Sequence, residues 1–150
     1  MISTLKISQM FPAPSGAAAY LRFLRVYADG EAADTVTWWR NDDGRCRYDV
    51  SLAKDAKHGD VAPRVVAREA IDCMNFDRLL TSAASLGALE IADDLEAFVF
   101  SNSHDVIAIK SGTDDANIFQ VRTGARHRDP RYAAVFELIV QSAPEYWNDL

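Results

Sequence analysis

Residues 95–122 read LEAFVFSNSHDVIAIKSGTDDANIFQVR, and this stretch decides the fold class. Three short apolar runs, at 95–101, 106–111 and 118–122, are separated by Asn-Ser-His-Asp and by Gly-Thr-Asp-Asp-Ala-Asn. Apolar runs broken by Asn, Asp, Ser and Gly predict an antiparallel meander. A helix signal follows at once, with Asp129 as its cap and Pro130 at the first helical position. Tyr132, Val135, Phe136, Ile139 and Val140 form its inner side until Pro144 stops the pattern.

Upstream, residues 35–40 and 45–52 flank Asn41-Asp42-Asp43-Gly44, a four-residue hairpin signal. If Arg40 pairs with Arg45, Trp39 stands opposite Cys46 and Thr37 opposite Tyr48, which leaves Trp38 opposite Arg47 on the other face. Residues 62–73 fit a helix or a strand. The strand is preferred because the hairpin needs a third partner. Asn75 reads as the cap of a helix carrying Phe76, Leu79, Leu80, Ala83 and Ala84, closed by Gly87. Residues 89–92 read as a brief strand.

Nearer the start, Ser15 follows Pro12 and Pro14 and reads as the cap of a helix running to about Ala28. Ala17, Tyr20, Leu21, Leu24 and Tyr27 supply its spacing, and Gly30 its end. Residues 1–11 read as a first strand with Leu5 and Ile7 on one face, and 54–60 as a charged loop. Strands grouped in hairpins predict an α+β fold in a single domain spanning 1–150. Its sheet is mainly antiparallel, in two groups of hairpin-connected strands, with about three helices packed on one side.

Composition narrows the function classes. The 150 residues are 49% hydrophobic, enough for a sizeable core, with a net charge of −6. That sign disfavours nucleic acid and anionic membranes and favours a basic partner. No apolar run approaches the roughly 20 residues of a membrane helix, and the first eleven residues lack a signal-peptide pattern. Cys46 and Cys73 are too few and too far apart in sequence to imply a disulfide framework or a zinc motif, so a reduced, cytoplasmic setting is expected.

Four sets of residues are candidates for a site. Trp38, Arg40, Arg45 and Arg47 would place three guanidiniums around an indole, suited to an anionic or aromatic partner. If a second layer covers that face, Trp38 is core instead. Arg122, Arg126, His127, Arg128 and Arg131 crowd ten residues before a helix N-terminus, where an anion can settle unless Asp129 already occupies it. The acidic turns Asp42, Asp43, Asp93, Asp94, Glu96, Asp114 and Asp115 form a surface for a basic protein only if they converge in space. Turn chemistry accounts for each pair separately. The fourth set is enzymatic: His104-Asp105 alone puts a base beside a carboxylate, and neighbours on a strand point to opposite faces.

Neither catalytic, dinucleotide nor calcium motifs are present, which lowers the enzyme reading, and no cofactor or metal is expected. The leading expectation is therefore a small acidic protein acting by protein–protein binding, such as an inhibitor or immunity-type protein for a basic target. The alternative is a small-molecule binder or small enzyme that takes an anionic ligand at an Arg/His cluster. A third expectation is a homodimer, with Tyr146 and Trp147 packing across its axis unless they fold back on their own core.

Overall fold

The computed structural model describes residues 4–27, 32–53, 64–94 and 102–148. Strands β2 (Ala33–Asn41) and β3 (Cys46–Leu52) form the expected hairpin. Its loop is one residue shorter than the sequence suggests. The Asn41 N–H donates to the Arg45 carbonyl at 2.8 Å and the Gly44 N–H to the Asn41 carbonyl at 2.9 Å, so only residues 42–44 turn. Gly44, at φ +83°, supplies the left-handed residue that a three-residue loop needs.

Register shifts accordingly: Arg40 opposes Cys46, Trp39 opposes Arg47, and Trp38 opposes Tyr48. A one-residue slip exchanges the faces of every side chain. Trp38 is 4% exposed and stacks on Tyr48 at 5.2 Å in the core, whereas Trp39 takes the opposite face.

The strand reading of 62–73 holds as β4 (Arg64–Ile71), which pairs antiparallel with β3. On the other side of β2 lies β1 (Ala17–Val26), where the sequence pattern predicted a helix. β1 is central and buried on both faces. Leu21 and Phe23 join one apolar cluster, Leu24 and Val26 another. Such a strand carries a near-continuous apolar run, which imitates helical spacing. Ser15 is not a helix cap but part of the turn into β1, where the Ala17 N–H donates to the Pro14 carbonyl at 3.1 Å.

Within the meander, β5 (His104–Lys110) and β6 (Asn117–Arg122) are as expected, while residues 95–101 and the 54–60 loop lie outside the described residues. The resulting six-stranded sheet has the order β4-β3-β2-β1-β5-β6, every neighbour antiparallel. Both hairpin groups belong to this one sheet, and the α+β class stands.

The described residues form four helices. α1 (Thr4–Met10) replaces the expected first strand; Ile7 is buried against Leu24, Val26 and Val106, while Leu5 is exposed. This is the sheet face opposite the other helices, so the helices are not all on one side. α2 (Cys73–Ser85) begins earlier than expected because Asp72, not Asn75, caps it: its carboxylate accepts the Met74 N–H at 2.8 Å. Gly87, at φ +99°, closes it, with the Gly87 N–H on the Ala84 carbonyl and the Ala88 N–H on the Ala83 carbonyl. Residues 89–92 are not a strand. The chain turns through residue 90 and then runs irregularly beside β6.

α3 (Arg131–Ser142) buries Tyr132, Val135 and Ile139 as the spacing predicts. α4 (Pro144–Trp147) folds the aromatic tail back onto the core. Phe23 collects Phe136, Tyr146 and Trp147 at ring-centroid distances of 6.0, 5.8 and 5.2 Å. Each edge or offset contact of this kind contributes about 1 kcal/mol beyond the area buried. Tyr146 is fully buried, so the residue offered for a dimer axis is used within its own chain.

Cys46 and Cys73 are bonded to each other, with Cα atoms 5.3 Å apart. Separation of 27 residues in sequence hid this. The β3–β4 pairing puts Cys46 opposite Ile71, two residues before Cys73. No helix among the described residues is long and apolar enough to cross a membrane.

Candidate functional site

On the helix-covered face of the sheet, β2, β1 and β5 set three ionisable residues in one cross-strand row: Asp34, Arg25 and Asp105. Asp34 is fully buried and satisfied by three donors. The Tyr27 hydroxyl reaches it at 2.5 Å, the Tyr146 hydroxyl at 2.9 Å and the Ala53 N–H at 2.8 Å. Both phenols have pKa values raised by burial and by this carboxylate, so they act as donors.

Arg25 meets Asp105 in a forked pair, Nε to Oδ1 at 2.9 Å and Nη2 to Oδ2 at 3.2 Å. The Thr123 hydroxyl adds a 2.7 Å bond to the same carboxylate. Buried charge is tolerated only with pairing of this quality.

A cavity of about 540 Å³ opens beside this pair, between the end of β6 and α3. That volume lies in the range of small-molecule sites. Arg25, Asp105 and Thr123 form its polar end; Val121, Ala125, Pro130, Ala133 and Phe136 contribute apolar wall. Tyr132 also lines it. Its hydroxyl is buried with no hydrogen-bond partner among the described residues, and burial followed by the nearby Asp105 charge raises its pKa. A buried donor without a partner is uncommon and costs free energy, which marks the place as unlike ordinary core.

The basic loop of residues 122–131 borders the cavity, but its members have different tasks. The His127 ring is buried and stacked on Tyr132 at 4.9 Å. Its Nε2 lies 2.9 Å from the Ala92 carbonyl, which can only accept, and its Nδ1 accepts the Asp129 N–H at 2.9 Å. The imidazole is therefore the neutral Nε2–H tautomer with both nitrogens committed. Arg131 pairs with Asp129 and Glu90, and Arg128 with Asp94. Arg122 stands opposite His104 across β5 and β6, outside the cavity lining. Arg126 is exposed, lines the cavity and has no ion-pair partner among the described residues. At the helix start, the Asp129 carboxylate accepts the Arg131 N–H, so it occupies that end itself.

The other candidates do not assemble. Trp38 is core. Arg40 shares its face but is held by Asp77 of α2 at 2.8 Å, while Arg47 stands opposite Trp39 on the other face and Arg45 is exposed beyond the turn. Among the acidic residues, Asp93 accepts the Gln120 N–H at 3.0 Å and buried Asp94 accepts the Arg128 N–H at 2.7 Å, so both brace the 91–94 segment against its neighbours. Glu96 lies outside the described residues. Asp42 and Asp43 share an end of the sheet with Asp114 and Asp115, because Asn41 aligns with Ala17 and Lys110 with Tyr20. The six that lie among the described residues do not form one patch.

His104 and Asp105 point to opposite faces, as their adjacency on a strand requires, and form no dyad. Sequence reasoning missed Arg25, Asp34 and Tyr132 as site residues. Reading 17–26 as a strand would have exposed the signal, since a charged residue then falls in line with a core face. No protein-family model matches the chain, and no curated protein matches it either.

Proposed function

We propose that the chain binds a small anionic molecule with an apolar body in the cavity beside Arg25 and Asp105. One observation carries this reading: about 540 Å³ of space with apolar walls ends on a buried ion pair. Of the lining carboxylates, Asp105 is neutralised by Arg25 and Asp129 by Arg131, while Glu137 accepts a neutral donor from Gln141 at 3.1 Å; the lining cation with no ion-pair partner among the described residues is Arg126. It takes the anionic group, and the walls of Val121, Ala133 and Phe136 take the body. The reading is one of binding: the Thr123 hydroxyl donates to Asp105 at 2.7 Å, but that carboxylate is already held by the Arg25 guanidinium. Titration calorimetry with a panel of aromatic and short aliphatic monocarboxylates tests it. Saturable binding abolished by Ala133→Trp and weakened at least tenfold by Arg126→Glu supports the site. Binding by no member of the panel, or binding indifferent to both substitutions, removes it.

A second reading keeps a protein partner, favoured by Asp42, Asp43, Asp114 and Asp115 at one end of the sheet. A basic target, inhibited by being covered, would meet that end. Its affinity would fall steeply with salt and with the four acids replaced by Asn. The cytoplasmic setting expected from the sequence is likewise a proposal. There, thiol reductants would reach the Cys46–Cys73 bond.

A further inference from the structure

Cys46 and Cys73 are the only cysteines of the chain, and both are spent on one bond. Cys46 opens β3 and is 2% exposed; Cys73 is the first residue of α2 and is partly exposed. The bond therefore fastens the first turn of α2 to the β2–β3 hairpin. Within that turn Phe76 alone is packed into the core, at 1% exposed, while Met74 and Asn75 are exposed. Phe76, Leu80 and Ala83 are the buried side chains of α2, and the Arg40–Asp77 ion pair is exposed at both ends. Exposed pairs contribute little, and a 13-residue helix is marginal without tertiary support. Beneath the turn a groove of about 290 Å³ runs between Trp38 and Tyr48 on the sheet and Phe76 and Leu79 on the helix.

We propose that Cys46–Cys73 is a redox latch on α2. A dithiol reductant attacks the partly exposed Cys73 sulfur, forming a mixed disulfide and releasing the Cys46 thiolate, which takes up a proton. The reductant's second thiol then resolves the mixed disulfide. Two electrons and two protons have passed to the protein, two thiols remain, and the reductant leaves as its own disulfide. The start of α2 then lifts, and the Trp38–Tyr48 stack opens to solvent. None of the residues lining the 540 Å³ cavity belongs to α2 or β3, so the latch stands or falls apart from the proposed ligand site.

Hydrogen exchange followed by mass spectrometry, on the full chain with and without dithiothreitol, tests the latch. Residues 73–85 should gain at least tenfold more in exchange rate than residues 104–122, and Cys46→Ser/Cys73→Ser should reproduce the reduced pattern. Equal acceleration everywhere, including loss of the fold in the reduced chain or the variant, would overturn the latch. So would no acceleration, or free thiols in air-oxidised protein.

Discussion

Arg25 and Asp105 stand opposite each other across β1 and β5, joined by hydrogen bonds of 2.9 and 3.2 Å. Their side chains are 18% and 4% exposed, so neither charge is well solvated. Removing one partner strands the other in a poor dielectric, which costs more than the intact pair contributes. Asp105→Asn should lower the unfolding free energy by about 3 kcal/mol, read by urea denaturation at neutral pH. A change below a quarter of that would mean water reaches Arg25 freely.

Trp38 and Trp39 are chemically identical neighbours with opposite surroundings. Trp38→Ala empties a packed site against Tyr48 and should cost about 3–5 kcal/mol. Trp39 is half-buried and its indole N–H donates to Asn41 at 2.9 Å, so Trp39→Ala should cost less than half as much. Equal losses would refute the register given above.

Asp129 has its pKa depressed to about 2, first by hydrogen bonds from the Arg131 side chain and then by the Arg131 N–H. A carboxyl depressed in the folded state stabilises it fully above the unfolded value near 4. That contribution should fade as pH falls from about 4 towards 2, and Asp129→Asn should remove it. Carboxyl carbon shifts of Asp129 followed by NMR across this window give the direct measurement.

His104 behaves in the opposite chemical sense. Burial lowers its pKa, and the Arg122 guanidinium across β6 adds to the effect. The unfolded chain then takes up a proton near pH 6.5 while the folded chain resists it, so stability drops as pH falls below about 6.5. Urea midpoints at pH 7 and pH 5 should differ more in the native chain than in His104→Leu. Parallel midpoints would place the imidazole in water.

Turn chemistry and side-chain period made much of the sheet legible. Asp42-Asp43-Gly44 announces its hairpin, Asp129-Pro130 announces α3, and alternation along 46–52 announces β3. Two of the failures, the helix expected over β1 and the face assigned to Trp38, have physical reasons that bear on the site. β1 is packed on both faces, so it lacks the alternation by which strands are recognised. The hairpin loop is one residue shorter than it reads, and that single residue moved Trp38 from a binding face into the core. The candidate site was hidden for the first reason: Arg25 gains meaning only when β1 is a strand between Asp34 and Asp105. The basic loop was visible, yet the commitment of His127 to Ala92 and Asp129 depends on contacts that span 35 and two residues.

The strand order carries a consequence for how the chain holds together. β1 through β4 are joined to β5 and β6 along a single seam, the β1–β5 ladder. Arg25 and Asp105 rivet that seam from either side, and the cavity touches both. Whatever fills the cavity would grip the two portions of the sheet at once, so occupancy should be felt as mechanical reinforcement of the whole body.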